Sequence, residues 1–277
     1  MLKTRVITAL ALLAVFLAAL FCLPPAAWAL FCGVLVIPAA WEWGRLMQLT
    51  RFACALYVLS VAAACALLFG SALAGGESRA LMAPQPMIFL GASLFWVVIV
   101  PFWLWRSRLP RARWLNALTG FLVLVPTWLA LVQLHQFGPV LLLLLLSVAW
   151  ISDTAAYFAG RRFGKRKLAP SISPGKSWEG VAGALLAVSL YALLWNLAWQ
   201  SHLPQLFKSM RFGPFAMLAF LWLLTAIGIY GDLFESALKR RAGVKDSGTL
   251  LPGHGGVLDR IDALTAVLPV AALIYIL

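Results

Sequence analysis

The sequence predicts an all-α, polytopic membrane protein of about nine transmembrane helices with its N-terminus in the cytoplasm. Three observations lead there. Of 277 residues, 63% are hydrophobic and only 11% charged, and a mean hydropathy of +0.94 lies outside the range of water-soluble domains. Apolar stretches near the roughly 20 residues needed to cross a bilayer recur along the whole chain. The basic residues then fall almost entirely between alternate stretches, as the positive-inside rule requires.

The nine stretches lie at about 6–23, 27–41, 53–74, 87–105, 115–134, 139–160, 180–199, 214–232 and 257–277. The first, within "MLKTRVITALALLAVFLAALFCLPPAAWA", also has the layout of a secretory signal, with Ala27-Trp28-Ala29 as a cleavage site. Its apolar run is long for a signal, and Pro24-Pro25 reads as the turn into a second span, so it is taken as a retained helix. With the N-terminus inside, 18 of the 22 Lys and Arg residues become cytoplasmic; Arg79, Lys208 and Arg211 face outward and Arg260 lies in the last span. That placement explains the net charge of +13 without a nucleic-acid partner. Cys22, Cys32, Cys54 and Cys65 all fall inside spans with no ligand-like spacing and read as small core residues.

The carboxylates are distributed unevenly. Only Glu42 and Glu77 precede residue 150, whereas Asp153, Glu179, Asp232, Glu235, Asp246, Asp259 and Asp262 follow it. No internal repeat relates the halves. The chain is therefore read as one membrane domain, 1–277, in which 1–138 supplies scaffold, oligomer contact or walls for a lipid tail, and 139–277 supplies catalytic helices and cytoplasmic loops.

Two polar segments share one side of the membrane under this topology. In "SDTAAYFAGRRFGKRKLAPSISPGKSWEG", Asp153 sits within the cytoplasmic half of its helix, where a carboxylate needs a partner, water or a function. Ser173-Pro174 reads as an N-cap and first helical position, which would put Lys176 in the first turn of a helix whose free N–H groups favour an anion. Topology alone accounts for most of the neighbouring cations, and a snorkelling lysine accounts for Lys176 equally well.

The second segment begins with "GIYGDLFE" and runs to Asp262. Asp232, Glu235, Ser236 and Lys239 follow one another at helical spacing, with no breaker before Gly243, so the eighth span should continue as a cytoplasmic helix with these groups on one face. After Lys245-Asp246 comes a flexible stretch ending in His254-Gly255-Gly256, whose glycines would let backbone amides approach a ligand at the start of the last span. Asp259 and Asp262 stand one turn apart on that helix, with Arg260 between them. A structural histidine and an interfacial ion pair would be ordinary features singly. Carboxylates from two helices beside a glycine turn, among several cations, together suit a divalent metal carrying polyphosphate: hard oxygens for Mg²⁺, Lys and Arg for the remaining charge.

Ser236, Lys239-Arg240, Lys245-Asp246, Pro252, His254-Gly255-Gly256, Asp259-Arg260 and Asp262 stand at the spacing of the signature of phosphatidate cytidylyltransferases, the CDP-diacylglycerol synthases, and the chain resembles that family over about 150–265. "GDLFES" and the 152–180 segment resemble it too, with Ser177 where Thr is more usual. The resemblance implies transfer of the cytidylyl group of CTP to phosphatidate, with Mg²⁺ and commonly K⁺, by an all-helical, dimeric inner-membrane protein whose polar cavity opens to the cytoplasm. It places the metal on Asp232 and Asp259. Lys239, Arg240, Lys245 and Arg260 are then expected to hold phosphates, Lys176 with Ser173 the triphosphate tail, and Asp246, His254, Gly255 and Gly256 to line the substrate. Asp262 is expected to orient Arg260 or the metal site, and Asp153 to reach nucleotide or metal through water.

Two other classes compete. Intramembrane acids also mark transporters, but the inverted repeats and matched broken helices of that class are missing from the sequence. A lipid-linked phosphotransferase with another nucleotide or a polyprenol acceptor would use the same basic and metal-binding groups. A purely structural assembly protein would have no use for the Asp259 to Asp262 constellation.

Overall fold

The computed structural model describes residues 2–73, 85–106, 109–199, 214–250 and 255–276. Helices dominate it: α1 (Leu2–Cys22), α2 (Pro25–Leu46), α3 (Arg51–Leu73), α4 (Gln85–Trp105), α5 (Arg113–Phe137), α6 (Pro139–Phe163), α7 (Trp178–Trp199), α8 (Pro214–Arg241) and α9 (Leu258–Ile276). Each falls on one of the apolar stretches expected from sequence. Among the described residues, α2 to α8 are long and apolar enough to cross a membrane. The apolar part of α1, Ile7–Cys22, is shorter, and α9 opens with Asp259, Arg260 and Asp262. Arg79, Arg108, Lys208 and Arg211, used in assigning orientation, lie outside the described residues, as do Glu77, Pro252 and His254.

The helix ends follow local chemistry. Pro24 is extended and Pro25 opens α2, using a ring that supplies no N–H where the first turn has no acceptor for one. A π-helical turn at Phe95–Ile99 interrupts α4. Among the described residues the helices are interrupted by a small antiparallel hairpin, β1 (Lys167–Ala169) with β2 (Ser173–Ser177), between α6 and α7.

Helix α9 is the central strut, packed by α8, α5, α4, α6 and α2. Its stretch from Ala263 to Ala272 is buried throughout. Many large apolar side chains point outward instead, Leu67 (85% exposed) and Phe215 (87%) among them, as expected where lipid is the solvent. Polar groups inside find internal partners: the Trp28 indole N–H donates to the Leu131 carbonyl and that of Trp128 to the Ala29 carbonyl, both at 3.0 Å, cross-linking α2 and α5. Around Phe234 of α8 gather the rings of Trp43, Phe95, Trp96 and Trp103. This cluster anchors α8 to α2 and α4. Against α9, α8 presents Gly231, where an added Cβ would lie 2.7 Å from the Asp262 carbonyl oxygen. Only glycine lets the two backbones approach so closely, and this approach sets Asp232 and Asp262 side by side.

Candidate active site

Four elements build the site: α6, the hairpin, the end of α8 and the start of α9. The hairpin corrects one expectation. Ser173 does not cap a helix; Ser173–Ser177 is strand β2, and the helix starts only at Trp178. Gly175 disfavours helix, and the pairing of Ala169 with Ser173 and of Lys167 with Ser177 gives the segment another partner. The capping hydroxyl is that of Ser177, which accepts from the Gly180 N–H at 3.2 Å. Glu179 accepts from the Lys165 and Arg166 N–H groups, tying the hairpin's base to α7. Lys176 thus projects from a strand rather than from a helix N-terminus.

Its ammonium meets Asp232 Oδ2 at 2.5 Å. Asp232 also accepts from the Ser236 hydroxyl at 3.2 Å, as their shared helical face predicts. Asp153 on α6 and Asp262 on α9 are electrostatic neighbours of this pair. Four sequence-predicted residues, Asp153, Lys176, Asp232 and Asp262, therefore converge from four elements. Because the Lys176–Asp232 bridge joins the two polar segments, both do emerge on one side of the bundle.

The second cluster is one turn further along α8. The Lys239 ammonium donates to Asp259 Oδ1 at 2.6 Å and lies 3.4 Å from Glu235 Oε1. Glu235 is buried, and neither of its carboxylate oxygens has a hydrogen-bond partner. Asp259 Oδ2 accepts from the N–H groups of Ser247 (2.9 Å) and Gly256 (2.8 Å). These contacts correct a second expectation: the amide of Gly256 is not offered to a ligand but is taken by Asp259. Gly255 adopts φ +81°, which turns the chain into α9. Glu235, neighbour of both Asp259 and Asp262, links the two clusters.

The remaining predicted residues are more peripheral. Lys245, Asp246 and Arg260 are exposed. Among the described residues no ion pair joins Arg260 to Asp262, because residues two apart on a helix point to different faces. Arg240 donates to the Ile172 carbonyl across to the hairpin. Together with Arg111 and Arg241 it lines a cavity of about 700 Å³ whose apolar wall includes Trp103, Leu104 and Leu109.

Glu235, Ser247 and a third residue at the site were not among the site residues expected from sequence. Glu42 on α2, from the half read as scaffold, is 4% exposed and reaches the loop before α9. It accepts from the N–H groups of Val257 and Leu258 and from the Ser247 hydroxyl, each at 2.9 Å. A lone carboxylate in an apolar span was the available signal.

Among the described residues no three acidic, histidine or cysteine side chains form a closed metal site. Taken singly, Asp232 and Asp259 each offer the hard carboxylate oxygen that suits Mg²⁺, which binds through one or two carboxylates and completes its shell with water and phosphate oxygens, but they stand in separate clusters. Asp232 and Asp259 each already hold a cation, in the form of a lysine ammonium, at bonding distance.

Fold and site together define a multi-pass membrane protein with a carboxylate- and lysine-lined candidate site where α6, α8, α9 and the hairpin meet. The model of the cytidylyltransferase family matches residues 3–277. A phosphatidate cytidylyltransferase of Pseudomonas aeruginosa is 40% identical over 99% of this chain and 97% of its own length. One of Haemophilus influenzae is 36% identical over 99% of both chains, and one of Thermotoga maritima is 45% identical over 51% of each. The chain belongs to the cytidylyltransferase family and is a nucleotidyltransferase.

Proposed function

We propose that this protein transfers the cytidylyl group of CTP to phosphatidate, yielding CDP-diacylglycerol and pyrophosphate for phospholipid synthesis. The reading is supported by its full-length relatives and carried by one observation: aspartates of α8 and α9 are each paired with a lysine, and Ala237, Arg240 and Arg241 of the same α8 also line an arginine-rich cavity with an apolar wall. An oxygen of the lipid phosphate attacks the α-phosphorus of CTP, a phosphorus–oxygen bond forms there, and the bond to the β-phosphate bridging oxygen breaks. A phosphate monoester has its second pKa near 6, so phosphatidate arrives largely as a dianion and requires no strong base. The barrier is the approach of two anions, which positioned cations and fixed geometry lower.

Asp232 and Asp259 would hold Mg²⁺, with K⁺ as a second ion. When bound, Mg²⁺ supplies positive charge that neutralises the triphosphate and stabilises departing pyrophosphate. Lys176 and Lys239 are the nearest protein cations to those carboxylates and take the phosphates of CTP; Lys245 and Arg260 add charge from the rim. Arg240 and the cavity beside it take the lipid phosphate, with Trp103, Leu104 and Leu109 against its apolar part. Asp153 and Asp262 orient the metal and nucleotide from behind Asp232, and Ser173, Asp246, His254, Gly255 and Gly256 contribute to substrate binding. The protein works as a homodimer in the inner membrane, with nine spans, a cytoplasmic N-terminus and the site facing the cytoplasm.

The test is direct. Purified protein in mixed micelles receives phosphatidate, Mg²⁺ and each of the four nucleoside triphosphates. A CDP-lipid forms with CTP alone and its formation stops on chelation. Failure of CTP to yield that product, or solute flux across proteoliposomes without lipid product, contradicts the reading.

A further inference from the structure

We propose that Glu42 is a positioning residue, clamping the backbone of the loop before α9 so that Asp259 is held in place against Lys239. The proposal rests on the reading of Asp259 given above. Its basis is a set of hydrogen bonds spanning more than 200 positions of sequence: Glu42 Oε1 accepts from Val257 N–H and Glu42 Oε2 from Leu258 N–H. These amides belong to the start of α9, where helix geometry leaves N–H groups without acceptors and the helix dipole favours negative charge.

The loop is packed onto this carboxylate. A Cβ added at Gly256 would lie 2.5 Å from Glu42 Oε2, and one at Gly248 2.5 Å from Glu42 Oε1. The fit reaches Asp259 through Ser247, whose hydroxyl stands 2.9 Å from Glu42 Oε2 and 3.0 Å from Asp259 Oδ2 while its N–H bonds Asp259. One hydroxyl has one hydrogen to give, so Ser247 serves one carboxylate at a time through its side chain. Asp259 therefore depends on the loop's backbone for its fixed contacts, and Glu42 fixes that backbone. A carboxylate that merely capped a helix would have no such route to the reaction centre.

Glu42→Gln keeps the shape but turns an NH₂ toward backbone N–H donors. In that variant turnover falls by about 100-fold, the loss expected for a displacement on the order of 1 Å at a reacting group. Amide hydrogen exchange at 256–258, measured on the protein without substrate, rises, whereas exchange in α6 and α7 does not change. Glu42→Asp, which keeps the charge on a shorter arm, retains more turnover than Glu42→Gln. Combining Glu42→Gln with Asp259→Asn gives no further loss beyond Asp259→Asn alone. Wild-type turnover and exchange in Glu42→Gln would overturn the proposal. So would exchange that rises equally in every helix, since Glu42 would then support the whole fold rather than this loop. Because exchange is read without substrate, a wild-type protein that makes no CDP-lipid would refute the proposed reaction while the loop clamp is still judged.

Discussion

The two aspartate–lysine pairs look alike in sequence and differ in setting. Lys176 and Asp232 retain 22% and 28% of their side-chain surface, and among the described residues Asp232 has the Ser236 hydroxyl as its one further hydrogen-bond partner. Lys239 and Asp259 retain 12% and 6%, and Asp259 is additionally held by two backbone N–H groups and shares the Ser247 hydroxyl with Glu42. The first pair is thus open to exchange its partner for an incoming metal or phosphate. The second organises the loop and helix start around it, so that under the proposed function one carboxylate serves both the fold and the reaction. A change at the open pair should alter activity more than stability, whereas a change at the closed pair should alter activity and stability together.

Asp259→Asn is the sharpest way to break that contrast. It removes a charged acceptor from two N–H groups and, under the proposed function, a metal ligand. CDP-lipid formation should drop by more than about 1,000-fold and thermal stability by about 1–3 kcal/mol. Lys239→Met comes next, because it leaves Glu235 and Asp259 buried without their shared cation. Breaking a buried pair typically costs about 3–5 kcal/mol, and detergent-solubilised protein should show a lowered melting midpoint together with reduced turnover. Lys176→Met should reduce turnover by about 100-fold and lower that midpoint by less than Lys239→Met does, since its pair keeps more of its surface and is better screened by solvent. Gly231→Ala tests the packing that brings the clusters together: overpacking against the Asp262 carbonyl should destabilise by about 1–3 kcal/mol, with activity falling less than in the aspartate variant. Equal melting midpoints for Asp259→Asn and Lys176→Met would erase the distinction between the pairs.

Much of this molecule was legible in its sequence for a physical reason. A bilayer demands long apolar helices, so the nine helical stretches could be marked from hydropathy, and the breaker at Gly243 ended α8 within two residues of its observed end at Arg241. Helical spacing also put Asp232 and Ser236 in contact correctly. What failed was local chemistry with two solutions. Ser173-Pro174 carries the signal of a helix start, yet the strand pairing of a five-residue segment won and moved the cap to Ser177. The glycine turn before α9 looked like a set of free amides because sequence does not reveal acceptors, and Glu42, 205 positions from Ser247, had no spacing to announce it. His254 lies outside the described residues.

The central claim is that Asp232 and the aspartate at the start of α9 together receive the metal-bound nucleotide. Calorimetric binding of CTP to purified wild-type and Asp232→Asn protein, with and without Mg²⁺, tests it most directly. The account predicts Mg²⁺-dependent binding by the wild type and its loss in a variant that is still folded. Equal Mg²⁺-dependent affinity in both proteins would contradict it.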